Sequence, residues 1–195
     1  MGRTHTLEIL VSADALNGGS NSSVVVKNGT SFMEVIGLDF ALGLLPQESE
    51  VQVIATGTVG NDTVHLLSRI IKESHVFVSL NLSAAQELTR VYDSPFKGNE
   101  RLRAIHFPSN LVSINDYALA DCNSLVCTCV PATVRQIGDH AFYRCHLLST
   151  LRFADPAGWF CNDVPADDLG NPVDNPAKFT MQGGKYCDCA LYKKQ

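Results

Sequence analysis

The sequence predicts an α/β protein: a short solenoid of stacked repeats with a parallel sheet, an α/β N-terminal region and an irregular C-terminal cap. Three observations carry this. Leu102, Pro108, Ile114, Ala118 and Cys122 recur as Leu125, Pro131, Ile137, Ala141 and Cys145, each pair 23 residues apart. A fixed period of that size marks a repeat array. Upstream, "VQVIATG", "NDTVHLLSRIIKES" and "HVFVSLNLS" read as strand, amphipathic helix and strand. Downstream, eight glycines and prolines scatter between Pro156 and Gly184 without a period. The expected organisation is a capping region with two helices over 1–75, repeats over 76–153 and a cap over 154–195.

Within each repeat the apolar residues fall at offsets 0, 3 and 5: Leu102, Ile105 and Phe107, then Leu125, Thr128 and Val130. Offsets 3 and 5 have the period of two expected of a strand with one buried face. Pro108 and Pro131 end those strands because proline has no N–H for the ladder. Leu111 and Ile114, like Val134 and Ile137, feed a returning segment, and Ala118–Leu119 and Ala141–Phe142 fill the core beneath a turn-like arc. Stepping back by 23 reaches Leu82, Leu88, Val91 and Phe96, so a divergent unit precedes these two. Stepping forward, Leu148, Leu151 and Phe153 repeat the strand before the pattern stops. One unit cannot bury its own apolar side, whereas stacked units can.

Ahead of the array, Ser31 and Glu34 have capping-box spacing for a helix start in "SFMEVIGLDFALGLLP", and Pro46 supplies a stop. Phe32, Val35, Ile36 and Phe40 form the face expected to pack on the sheet, leaving Leu38, Leu42 and Leu45 directed elsewhere. In the second helix Val64, Leu67, Ile70 and Ile71 share one side. Strand, helix, strand suggests a crossover that prolongs the parallel sheet.

Composition bounds the function. The 195 residues are 45% hydrophobic and 18% charged, ordinary globular values. A net charge of −5 without long runs gives no footprint for nucleic acid. No apolar stretch reaches the roughly 18 residues of a membrane span. "GRTHTLEILV" has no signal-peptide pattern, and the compartment stays open. Seven cysteines leave at least one unpaired; Cys122 and Cys145 are read as small core hydrophobes.

The motif "LxxIxFPxxLxxINxxALxxCxxL" followed by "LxxTxVPxxVxxIGxxAFxxCxxL" resembles the BspA-like, treponemal class of leucine-rich repeat. "VFVSLNLSAAQELTRVYDSPFKGNERL" is similar to its opening unit, and "LRFADPAGWF" with "LYKK" to its C-terminal cap, so the likeness runs from about Val76 to Phe160. What it implies is a curved leucine-rich-repeat solenoid that binds proteins, typically at a bacterial surface and including adhesion to a host. It implies a secreted or surface location, and no catalysis.

If offsets 3 and 5 point inward, offsets 2 and 4 face out: Asn81 and Ser83, Ala104 and His106, Cys127 and Cys129, Thr150 and Arg152. The polar and thiol members of that face are the expected partner-binding residues. Strands lie about 4.8 Å apart in a sheet, so His106 and Cys129 can be neighbours. Cys127, Cys129 and His106 are three zinc-type ligands where a closed structural site needs four, so no metal is assigned. Cys161 can bridge either Cys187 or Cys189 in an oxidising compartment, though unpaired packing is the expectation. A helix apolar on more than one side is ordinarily buried on more than one side. The other reading of Leu38, Leu42 and Leu45 is an apolar surface for a small, lipid-like ligand. "GGSNS" is no phosphate loop, the histidines form no His-Glu-x-x-His, and no nucleophile elbow is present. Neither an enzyme nor a cofactor is expected.

Overall fold

A computed structural model describes residues 9–11, 23–27, 32–92 and 94–194. The elements run β1 (Ile9–Val11), β2 (Ser23–Lys27), α1 (Phe32–Gly43), β3 (Glu50–Gly57), α2 (Asn61–Glu73), β4 (Phe77–Ala85), β5 (Arg90–Val91), β6 (Leu102–His106), β7 (Ser113–Ile114), β8 (Cys127–Val130), β9 (Gln136–Ile137), β10 (Thr150–Phe153), β11 (Trp159–Cys161), β12 (Val164–Ala166), α3 (Asn175–Phe179) and β13 (Leu191–Lys193). Ser31, the first member of the expected capping box, lies outside the described residues.

One seven-stranded sheet runs β1-β2-β3-β4-β6-β8-β10, parallel throughout except for the antiparallel β1–β2 edge. The β3–α2–β4 unit therefore shares a sheet with the repeats. The second sheet is ordered β12-β11-β13-β9-β7-β5. Its parallel strands β5, β7 and β9 are the returning segments of three successive repeats, only two residues each. Between the sheets lies the core. Every apolar position read from the period is buried there, from Leu102, Ile105 and Leu111 to Val134, Ile137 and Phe142.

Backbone geometry repeats as faithfully as the apolar pattern. Ser94, Tyr117 and His140, 23 residues apart, have φ of 51°, 56° and 56°; Gly98, Asp121 and Arg144 have 67°, 60° and 57°. Each arc thus turns through two left-handed residues, a conformation that costs a non-glycine residue roughly 1–2 kcal/mol. Stacking repays it in hydrogen bonds between units: Tyr117, Leu119 and Asp121 N–H donate to Asp139, Ala141 and Tyr143 carbonyls at 3.0, 2.8 and 2.7 Å. The buried thiols join in, with Cys122 Sγ donating to Phe96 O (2.9 Å) and Cys145 Sγ to Leu119 O (3.0 Å). At the equivalent position of the preceding unit, buried Asn99 donates to Ser68 O at 2.9 Å and so ties the array to α2.

Three expectations need correction. The first concerns α1. Leu38, Leu42 and Leu45 are 0%, 1% and 4% exposed, while Phe40 is 70% exposed. Leu38, Ala41, Leu42 and Leu45 follow the i, i+3, i+4, i+7 stripe and join the core beside α2, β1 and β2, whereas the side chains of Phe32, Val35 and Ile36 lie outside the described residues. The second concerns the cap, which is ordered rather than irregular. β13 pairs antiparallel with β9 and β11, and β12 completes that sheet. Aromatic rings close the end of the core: Phe153 meets Trp159 at 5.6 Å and Phe179 at 5.8 Å, and Phe179 meets Phe142 at 6.0 Å. The third concerns the cysteines, since Cys161 is bonded to Cys189 rather than packed as a free thiol.

Candidate functional site

The outward face of the large sheet is built by the parallel register of its strands. Asn81 pairs with His106, His106 with Cys129, and Cys129 with Arg152, a row across β4, β6, β8 and β10. A second row places Ser79, Ala104, Cys127 and Thr150 side by side. Alternation along each strand sends Leu80, Ile105, Thr128 and Leu151 inward, where all are buried. His106 and Arg152 are exposed; Asn81, Cys127, Cys129 and Thr150 are half-buried. Ser83 is exposed on β4 beyond its last paired residue with β6, where its N–H donates to Asn81 Oδ1 at 3.0 Å. The structure thus brings six of the seven expected contact residues into two adjoining rows, with Ser83 at their margin.

The face combines an imidazole, a guanidinium, two thiols and small polar side chains. Burial pushes the Cys129 thiol up, and the nearby Arg152 charge only partly offsets that. Its sulfur approaches Val130 O at 3.7 Å. Among the described residues, His106, Cys127 and Cys129 do not form a group able to meet at one metal ion. Two surface depressions flank α2, one lined in part by His65, Arg69 and Lys97, the other by Glu73, Glu100 and Arg101. Neither includes Leu38, Leu42 or Leu45, whose burial leaves a lipid-like ligand no surface at those residues.

Sequence reasoning missed a charged and aromatic strip at the strand starts. Arg101 and Arg103 lie over the Phe77 ring at 5.0 and 4.4 Å and pair with Glu48 at 3.0 Å and Glu50 at 3.2 Å. The register shifts between Val78 and Ser79, so Arg103 falls in a bulge opposite no residue of β4. A 23-residue template carries no signal for that irregularity. In the cap, His140, Cys187 and Asp188 converge, three residues that no local motif connects. Burial first, then the Asp188 carboxylate, pushes the Cys187 thiol up to about 11.

Against known families, residues 73–157 match the BspA type Leucine rich repeat region in six copies. Those residues are a BspA-type leucine-rich-repeat region. The match begins at Glu73, the last residue of α2, and takes in the strands β4 to β10 that form both rows of the face. Leucine-rich repeats are generally protein–protein interaction modules and generally not enzymes. No curated protein and no solved structure matches the chain. No helix among the described residues is long and apolar enough to cross a membrane.

Proposed function

We propose that this leucine-rich-repeat protein is a non-enzymatic interaction module, a short curved solenoid that binds a protein partner on the outward face of its large sheet. Asn81, Ser83, His106, Cys127, Cys129, Thr150 and Arg152 are the contact residues, and attachment to a host or cell-surface component is the role. The observation that carries this is the Asn81–His106–Cys129–Arg152 row, held in register by four parallel strands. Rigid strands present these side chains without a loop to order on binding, which lowers the entropic cost of association. The row offers hydrogen-bonding groups, one fixed cation and polarisable thiols over a β surface. Arginine is enriched where interfaces concentrate their energy, and Arg152 is exposed at the outer strand.

The test uses the full chain immobilised as bait against a cell-surface extract, compared with a His106→Ala/Arg152→Glu double variant and with Met181→Ala. Met181 is an exposed cap residue outside the face. Loss of a captured protein with the double variant and its retention with Met181→Ala supports the assignment. Capture that survives the double variant undiminished refutes it.

A further inference from the structure

Away from the sheet face, the described residues contain one group of three His, Cys, Asp or Glu side chains able to meet at a single ion. It is His140, Cys187 and Asp188, whose ligand atoms all lie within 4.8 Å of one another. His140 Nε2 stands 2.8 Å from Asp188 Oδ1. Nε2, which faces the carboxylate, is therefore the ring nitrogen that an ion shared with Asp188 would take. Cys187 is a free thiol, 1% exposed, although Cys189 two residues on is committed to Cys161.

The arrangement is preorganised. Tyr117 stacks on the His140 ring with centroids 4.9 Å apart, and Tyr143 meets it edge-on at 5.2 Å. The His140 N–H donates to Cys187 O at 2.9 Å, which fixes this turn of the cap against the last repeat. Ring and turn are therefore held together by stacking and backbone pairing, and the carboxylate meets the ring at Nε2, before any ion is considered.

We propose that His140, Cys187 and Asp188 form a binding site for a zinc-class divalent cation that joins the C-terminal cap to the last repeat. The donor set selects the ion. Imidazole nitrogen, cysteine sulfur and carboxylate oxygen are zinc's usual ligands, at about 2.0–2.3 Å, whereas magnesium and calcium take oxygen ligands. Bonds of that length bring tetrahedral ligand atoms to about 3.3–3.8 Å of one another, so the His140–Asp188 pair, now at 2.8 Å, must open slightly to admit the ion. Asp188 can supply that movement, because its side chain is 52% exposed. Three protein ligands leave a fourth position for water.

Zinc chloride titrated into the full chain by calorimetry tests this, with cobalt(II) as a spectroscopic probe of sulfur ligation. Disulfide mapping first establishes that Cys161–Cys189 is the bridge in the sample. The expected result is one saturable ion per chain, with a thiolate-to-cobalt charge-transfer band. Cys187→Ser should abolish that band, and Asp188→Asn, at a half-exposed position that leaves the fold intact, should weaken zinc by about tenfold or more. A Cys127→Ser/Cys129→Ser double variant should bind as wild type. The proposal is overturned by the absence of saturable one-to-one binding, by a charge-transfer band that survives Cys187→Ser, or by zinc affinity unchanged in Asp188→Asn.

Discussion

Gly138 follows β9 at a point where two repeats approach closely, and replacing it with alanine adds a single methyl group there. An ideal Cβ would lie 2.1 Å from Asp116 Oδ1, 2.3 Å from Asp116 N and 2.6 Å from Asn115 C. Contacts under 3.0 Å are essentially never seen for a real Cβ. The Asp116 carboxylate can rotate away, at the loss of its 2.9 Å bond from Asp139 N–H. The two backbone atoms cannot. They must withdraw by about 1 Å to restore van der Waals contact, and that movement breaks the 2.8 Å bond from Gly138 N–H to Ile114 O. Overpacking costs about 1–3 kcal/mol, and each lost hydrogen bond about 0.5–1.5 kcal/mol. The expected destabilisation is therefore about 3 kcal/mol, a large share of the roughly 5–15 kcal/mol that holds a domain folded. Urea unfolding followed by far-UV circular dichroism measures it, with Gly43→Ala as the control. A Cβ at Gly43 meets nothing within 4 Å, and alanine in a helix is favoured over glycine by about 0.5–1 kcal/mol. A Gly138→Ala loss under about 1 kcal/mol would refute the close-approach argument, because overpacking alone should exceed it.

Two further outcomes are expected. Leu42→Ala should cost about 2–5 kcal/mol as a core truncation, whereas Phe40→Ala should stay within about 0.5 kcal/mol as a surface change; urea midpoints in the reverse order would return α1 to the orientation read from sequence. Asp168 governs acid sensitivity: burial works to raise its pKa, but hydrogen bonds from Tyr186 and Lys185 and the Lys178 charge hold it down, from 3.8 to about 2. Its folded value is depressed, so its contribution is complete above 3.8 and is lost as pH falls through about 2. Unfolding measured across that window should steepen with acid in the wild type and flatten in Asp168→Asn, and an unchanged pH profile would remove Asp168 from the account.

The repeats were legible because their period is written twice in phase, so each inward position had a witness 23 residues away. That redundancy also placed the outward face: once Ile105 and Thr128 point in, His106 and Cys129 must point out and lie side by side. Where redundancy ends, so did the reading. The cap strands β11, β12 and β13 have three residues each, too few for a period of two to stand out from chance. The helix Phe32–Gly43 carries apolar residues all round, so pattern alone cannot choose its buried face. The choice falls to the neighbours, which Leu38, Leu42 and Leu45 meet and Phe40 does not. The Arg103 bulge and the Cys161–Cys189 pairing are likewise tertiary facts, set by geometry between segments rather than by order along the chain.

The end of the array explains why the cap holds ligand-type residues where it does. Within the repeats, the left-handed residue of one arc donates its N–H to the next unit, as Tyr117 does to Asp139 O. His140 occupies the same place in the last full repeat and has no next unit, so its N–H goes to Cys187 O. Arg144, two places past its repeat's phenylalanine, is completed in the same way by Thr180 O at 2.7 Å. Buried backbone donors must be paired, and a terminal repeat therefore requires a segment that imitates its missing neighbour. That requirement fixes Cys187 beside His140 whether or not an ion is bound. A cation held there would stabilise the junction on which the open end of the array depends.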